Sequence, residues 1–240
     1  MFARSSNLIR QGNEPSPDHA SPIAGAGVIV SIGMWRASSI FGNRYHKPAV
    51  TNASLERLRK FLLPVELAEA ELKAKPAAAV MIILRDGPHG LEVLLGERTK
   101  REGDPWSGQV GLPGGRHRAE DPTMLATATR ETREEVGIDL ENCAEILGHM
   151  PPRAPGNKPE VLVVPFVALA TERLEATAGP EMAAVFWVPL ADLPANQGRA
   201  TVTTILGELN VPSFTYDGRL IWGFTYRILE ELLVFVGLSA

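Results

Sequence analysis

Residues 130–137 read Arg-Glu-Thr-Arg-Glu-Glu-Val-Gly, with three carboxylates inside five positions and a glycine closing the run. At about 100° per residue, Glu131, Glu134 and Glu135 fall within an arc of roughly 100° on one helix face. Leu125, Ala128, Thr132 and Val136 fall on the adjacent arc. The spacing predicts a helix over residues 121–136 that lies on a sheet by its apolar arc and is stopped by Gly137 as a C-cap. Its acids then emerge beside the buried stripe, not on the outer surface. Like charges at these spacings repel by a few tenths of a kcal/mol per pair, and Arg130, four residues before Glu134, offsets one pair. Two arrangements satisfy this crowding. One is a solvated face laced with ion pairs; the other is a hard divalent cation, Mg²⁺ or Mn²⁺, which accepts several oxygen ligands.

The sequence upstream bears on the choice. Gln109 to Leu112 reads as a brief strand running into Pro113-Gly114-Gly115. Paired glycines where a strand turns toward a helix let a ligand approach the main chain closely. Their carbonyls suit a metal's oxygen shell, and neighbouring N–H groups suit phosphate oxygens. A Gly-Gly pair alone is a tight turn. A glycine loop followed by an acid-rich helix is a more specific combination.

Around this centre the chain alternates irregularly between strands and helices. Residues 77–86, AAAVMIILRD, form a short apolar run ended by Asp86-Gly87-Pro88, and residues 91–98 read as its hairpin partner. Further strands are expected at 144–149, 161–170 and 185–188, with a hairpin around Tyr216-Asp217-Gly218 and a last helix over about 221–236. Leucines at near-helical spacing over 53–73, interrupted by Pro64, predict two short helices leading into the domain. Residues 1–52 mix Ser, Asn, Pro, Gly and Arg without period and are expected to form a poorly ordered extension. The organisation is therefore an extension over 1–52, a helical lead-in over 53–76 and the main domain over 77–240, built on a mixed sheet between helices.

Charge and composition exclude several classes. A net charge of −4 offers no electrostatic case for duplex nucleic acid or an anionic membrane. No window reaches the ~18 apolar residues that span a bilayer. The apolar stretch 23–35, IAGAGVIVSIGMW, is expected to belong to the tail, because Glu14, Asp18 and the prolines between them, Pro15 and Pro17, dilute the basic lead-in that a secretion signal needs. The single cysteine, Cys143, forms no internal disulfide, which fits a cytoplasmic setting. No Cys/His cluster suggests zinc, and no Ser/His/Asp pattern suggests a nucleophile. Trp187 and Trp222 sit in apolar patterns and read as core, and His117 as an exposed turn residue. The oligomeric state is left open, a homodimer included.

The residues just described resemble the signature of the Nudix hydrolases: Gly115, five residues, Asp121, eight residues, then Arg130-Glu131-Thr132-Arg133-Glu134-Glu135-Val136-Gly137-Ile138. Three positions depart from it. Asp121 stands for the usual Glu, the second spacer is one residue longer, and Thr132 fills an apolar slot. The segments LLGERTKREGDPWSGQVGLPGG (94–115), VFWVPLADL (185–193) and IWGFTYRIL (221–229) are similar to the branch that includes coenzyme A pyrophosphatases. Within 94–115, Arg98 and Gly108-Gln109-Val110 are kept, Thr99 stands for Ser and Leu112 for Phe, and Asp104-Pro105-Trp106 replaces a second Arg and a His.

The resemblance implies an α/β/α sandwich around a mixed sheet and hydrolysis of a pyrophosphate bond in a nucleoside diphosphate derivative, with Mg²⁺ or Mn²⁺ as cofactor. Glu131 and Glu135 are the expected metal ligands, Glu134 a third ligand or the base, and the Gly115 carbonyl a further ligand. Arg130 is expected to orient the acids, and Arg98, Gly114 and Gly115 to meet the substrate. Glu181 is an alternative base carried on a loop. Coenzyme A or acyl-CoA is the leading substrate, and ADP-ribose, NADH or nucleoside triphosphates are alternatives. A non-catalytic nucleotide sensor ranks lower, since such modules need no complete acid set.

Overall fold

The computed structural model describes residues 52–69, 77–102, 107–156, 158–204 and 207–238. The expected extension up to residue 51, the apolar stretch 23–35, the end of the lead-in at 70–76 and the replaced trio 104–106 lie outside the described residues.

The apolar run that opens the domain becomes β1 (Ala77–Gly87), and its hairpin partner is β2 (Gly90–Arg98). A strand so continuously apolar must be covered on both faces, and it is. Alternate residues serve opposite layers. Ile82 and Leu84 join one core cluster, whereas Ala79, Met81 and Ile83 join another. The first cluster packs under the C-terminal helix α3 (Gly223–Val236) through Ile228, Leu229, Leu232 and Val236. Leu58, fully buried on the first helix α1 (Asn52–Phe61), belongs to the same layer. The second cluster packs under α2 (Met124–Val136) through Met124, Ala128 and Val136. The expected sandwich of helices around a mixed sheet is what the chain forms.

The sheet itself is split. β1 and β2 pair only near their turn, from Leu84↔Val93 to Gly87↔Gly90. Beyond that they diverge, and the segment 110–116 enters the gap. Its first part, β3 (Val110–Gly111), pairs with β2, and its second part, β4 (Gly114–Arg116), pairs antiparallel with β1. Pro113 sits between them, and Met81 N–H reaches its carbonyl at 2.8 Å. On the far side β1 pairs in parallel with β6 (Leu162–Ala170), which in turn pairs antiparallel with β5 (Ala144–His149). The other edge of β2 carries β7 (Met182–Pro189). A second sheet of three strands, β8 (Gln197–Thr204), β9 (Gly207–Tyr216) and β10 (Arg219–Trp222), leads into α3.

Three elements depart from the sequence expectations. Gly114–Arg116 forms a strand where a turn was read, because β1 offers it a ladder. The β8–β9 pairing went unread, since its exposed residues leave mainly Val202 and Phe214 as apolar anchors. The helix expected from 121 begins at Met124, because Thr123 turns its hydroxyl back to accept the Ala126 N–H at 3.0 Å and so acts as N-cap. Its other end is as expected: Gly137 adopts the left-handed conformation at φ 70° and its N–H donates to the Arg133 carbonyl. Among the described residues no helix is long and apolar enough to cross a membrane.

Thr132, the polar residue in an apolar slot, is fully buried on α2, and its hydroxyl has no hydrogen-bond partner. A buried hydroxyl without a partner costs on the order of 1–3 kcal/mol. Thr132→Val keeps the branched shape and removes that cost. Chemical denaturation should show a gain of about 1 kcal/mol, and a thermal midpoint higher by about 2–4 °C.

Candidate active site

The site forms where the sheet splits. Antiparallel pairing alternates between residues that bond to the neighbouring strand and residues that face away. Pro113 accepts from Met81 and His117 donates its N–H to the Ala77 carbonyl, so residues 113, 115 and 117 face β1. Residues 114 and 116 therefore direct their main-chain groups toward α2. Gly114 N–H donates to Glu135 Oε2 at 2.9 Å, and the Arg116 carbonyl accepts from Arg130 Nη2 at 3.3 Å. The close approach requires both glycines. A Cβ on Gly114 would stand 2.3 Å from the Ala79 carbonyl oxygen, and one on Gly115 would stand 2.6 Å from the Glu131 carboxyl. By the same alternation, the Gly115 carbonyl expected as a ligand lies in the ladder opposite Ala79.

The three glutamates share one edge of α2, in differing surroundings. Glu131 and Glu135 are buried, whereas Glu134 is exposed. Burial drives the Glu135 carboxyl up to about 7. The Gly114 N–H and the Arg98 guanidinium oppose that rise, and the charges on Glu131 and Glu181 add to it. Arg98 Nη1 lies 3.5 Å from Glu135 Oε1, and its Nη2 lies 3.2 Å from Glu181 Oε2. The residue expected to clamp substrate thus stands between two carboxylates.

Glu181 reaches this place because its loop docks on the end of α2. Thr177 N–H donates to the Val136 carbonyl and Gly179 N–H to the Glu135 carbonyl, which satisfies carbonyls that a helix end leaves open. Gly179 comes so close that a Cβ there would meet the Glu134 carbonyl oxygen at 2.1 Å.

Arg130 is held on the other side of the acids. Its Nε and Nη2 each donate to Asp121 at 2.9 Å, and its Nη1 reaches Glu131 Oε1 at 2.7 Å and Glu134 Oε2 at 3.3 Å. The buried Asp121 also accepts from the Arg118 N–H and the Thr127 hydroxyl. Arg130, first among these partners, holds the Asp121 carboxyl well below the usual carboxylate range. Asp121 in turn raises Arg130 above its ordinary value. The orienting role read for Arg130 therefore has a geometry: it joins the acid ahead of the helix to two acids on it.

Sequence reasoning missed Arg118, whose guanidinium lies 3.3 Å from Glu134 Oε2 and 3.8 Å from Glu131 Oε1. It also missed the chain from His117 Nδ1 to Thr127 Oγ1, 2.8 Å apart, and on to Asp121. An extra cation three residues past the glycine pair was the available signal. Trp187 and Trp222 are half-buried; the Arg85 guanidinium lies over the Trp187 ring at 4.0 Å.

Glutamate carboxylates and main-chain carbonyls are the hard oxygen donors that Mg²⁺ and Mn²⁺ take, and the raised Glu135 marks uncompensated buried negative charge that a cation would relieve. The residues fit such an ion in kind. With guanidinium groups serving the acids, no three His, Cys, Asp or Glu side chains among the described residues gather closely enough to grip one.

Comparison with known proteins gives the family of the chain. The NUDIX domain family matches residues 75–205. An uncharacterized Nudix hydrolase NudL of Cronobacter sakazakii is 30% identical over 196 residues, covering 80% of this chain and 97% of that protein. An uncharacterized protein of Schizosaccharomyces pombe is 33% identical over 155 residues, covering 61% of this chain and 45% of its own length. The chain thus spans under half of that relative. Among solved structures, a MutT/nudix family protein from Enterococcus faecalis has 21% identity and a TM-score of 0.44, covering 81% of this chain and 76% of that one.

The state of Glu135 has a measurable consequence. A carboxyl raised to about 7 in the fold, from about 4.5 when unfolded, favours the native state below pH 4.5 and costs stability as pH rises toward 7. Glu135→Gln removes the titration. Melting of the metal-free protein should therefore show the variant gaining on the wild type between pH 5 and pH 8. A difference that stays constant over that range would contradict the burial effect.

Proposed function

The chain belongs to the Nudix hydrolase family, and from that premise we propose that it hydrolyses the pyrophosphate bond of coenzyme A or acyl-CoA. The products are adenosine 3′,5′-bisphosphate and a phosphopantetheine product. The observation that carries the reading is the acid edge of α2 docked on the glycine strand, with Glu135 accepting from Gly114 N–H and Glu131 against Gly115. It presents hard oxygen donors beside main-chain groups that a diphosphate can approach.

Glu131, Glu134 and Glu135, with the second lone pair of the Gly115 carbonyl, would hold Mg²⁺ or Mn²⁺. When bound, a divalent ion neutralises diphosphate oxygens and acidifies a nearby water. The chain's own residues do the rest, chiefly by positioning and electrostatics. Glu134 is the exposed acid of the three and is proposed as the base that takes a proton from the attacking water. The new P–O bond forms as the bond to the bridging oxygen breaks, and that oxygen leaves on the other phosphate. Arg130, fixed by Asp121, holds Glu131 and Glu134 in register. Arg98, at the mouth between Glu135 and Glu181, contributes a bidentate contact to the diphosphate. Glu181 is the secondary choice of base, because its carboxylate is engaged with Arg98.

Support for coenzyme A comes from the segments similar to that branch, which the fold brings together. The stretch 94–115 supplies β2 and β3, 185–193 supplies β7 along β2, and Arg219 beside 221–229 donates to Glu97 at 3.0 Å. Segments far apart in sequence thus meet around the single strand β2. A cytoplasmic setting accords with the substrate.

A product-resolved screen with Mg²⁺ and Mn²⁺ over coenzyme A, acyl-CoA, ADP-ribose, NADH and nucleoside triphosphates tests the substrate. Cleavage of coenzyme A to the two named products is expected; ADP-ribose cleaved while coenzyme A stays intact would reject the assignment. In the same assay Glu134→Gln should lower kcat by about 10²–10⁴-fold with an unchanged circular dichroism spectrum.

A further inference from the structure

Two guanidinium groups reach the acid edge of α2, and they are held in different ways. Arg130 is locked: its Nε and Nη2 both donate to Asp121 at 2.9 Å, and its side chain is only 21% exposed. Arg118 is fixed by its backbone alone. Its N–H donates to Asp121 Oδ2 at 3.0 Å, and the Asp121 N–H donates back to the Arg118 carbonyl at 3.1 Å. Its side chain is 52% exposed and meets Glu134 at 3.3 and 3.5 Å and Glu131 at 3.8 Å. Charge-assisted N–H···O bonds at full strength are about 2.7–2.9 Å long. Arg118 is therefore pinned at its backbone, while its side chain holds two carboxylates loosely.

Those carboxylates are the ones that a divalent cation would need. Two guanidinium groups lie within 4 Å of Glu131 Oε1 and Glu134 Oε2, Arg130 and Arg118, and each repels a cation entering there, so the one held less firmly is the one that gives way. Arg130 is tied to a buried acid and stays. Arg118 is half in solvent and leaves at little cost, since exposed pairs of this kind are weak.

We propose that Arg118 is an exchangeable counter-ion: it neutralises Glu131 and Glu134 while no divalent cation is present, yields them when one arrives, and then turns to a phosphoryl oxygen of the diphosphate. This rests on the function proposed above and adds to it an order of events, cation before substrate. Guanidinium suits both partners, because its planar fork matches carboxylate and phosphate alike. Arg118 thus sets the cation concentration at which the site switches on, and it is a positioning and specificity residue for the anionic substrate.

The test measures Mn²⁺ alone, without substrate, binding to the full chain by calorimetry and electron paramagnetic resonance. Arg118→Gln should tighten Mn²⁺ binding roughly three- to tenfold and raise KM for the diphosphate substrate with little change in kcat. Arg133→Gln removes the same charge from the same helix, but Arg133 pairs with Asp139 at 3.1 Å; its effect should stay below about twofold. Unchanged or weaker Mn²⁺ binding in the Arg118 variant overturns the proposal, as does equal tightening in the Arg133 variant. Glu131→Gln in the wild-type background separates the layers. Loss of Mn²⁺ binding there supports the acid edge as the cation site, whereas full retention overturns that site and the role of Arg118 with it.

Discussion

The pairing of Asp121 with Arg130 is the constraint on which the acid edge depends. Three glutamates on one side of a short helix repel one another, and exposed counter-charges would disperse them among many rotamers. A guanidinium gripped along one edge by two bonds to a buried acid cannot disperse. Its remaining nitrogen then fixes Glu131 and reaches Glu134. A buried ion pair contributes little net stability against an apolar replacement. What it supplies here is direction, because Asp121 is itself held by the Arg118 N–H and the Thr127 hydroxyl.

The split sheet gives that edge something to face. Had β1 and β2 paired along their whole length, β1 would have no free flank for β4. Their divergence after the Leu84↔Val93 pair opens a wedge, and the residues from Val110 to Arg116 fill it by pairing first with one strand and then with the other. Pro113 suits the crossing, since it donates no N–H and its carbonyl is taken by Met81. The alternation of β4 then sends Gly114 N–H and the Arg116 carbonyl out of the sheet toward α2. Fold and site are linked at this point by single hydrogen bonds.

Much of this was legible in the sequence where the cause is local. The apolar arc of α2, the left-handed Gly137 and the fully apolar β1 follow from periodicity and side-chain type. Asp121 precedes the helix, which begins at Met124, and meets the Nε–Nη2 edge of the Arg130 guanidinium. What was not legible depends on partners distant in sequence. Gly-Gly-Arg has no strand preference of its own; β1 makes it a strand. The exposed β8–β9 pair offers little alternation to read. Arg98 looked like an open clamp because nothing near it in sequence announces Glu181, brought in by a loop seated on the end of α2. Arg118 stayed hidden because its reach is set by the turn it makes with Asp121.

The charges of the site do not balance, and the imbalance is informative. Asp121, Glu131, Glu134, Glu135 and Glu181 face Arg98, Arg118 and Arg130, so five carboxylates share three guanidinium groups. Each guanidinium therefore serves more than one acid, and the shortfall falls on a buried acid with few partners. That acid is Glu135, whose one main-chain donor and one 3.5 Å contact with Arg98 do not offset its burial. A surface built only for stability would relax this strain by turning Glu135 outward or by replacing it with a neutral residue, since uncompensated buried charge is among the costliest features a fold can carry. Its position opposite Gly114, on the seam between helix and strand, keeps it from turning outward. The deficit amounts to two charges when all five acids are ionised, which is the charge of the one divalent cation proposed for this edge.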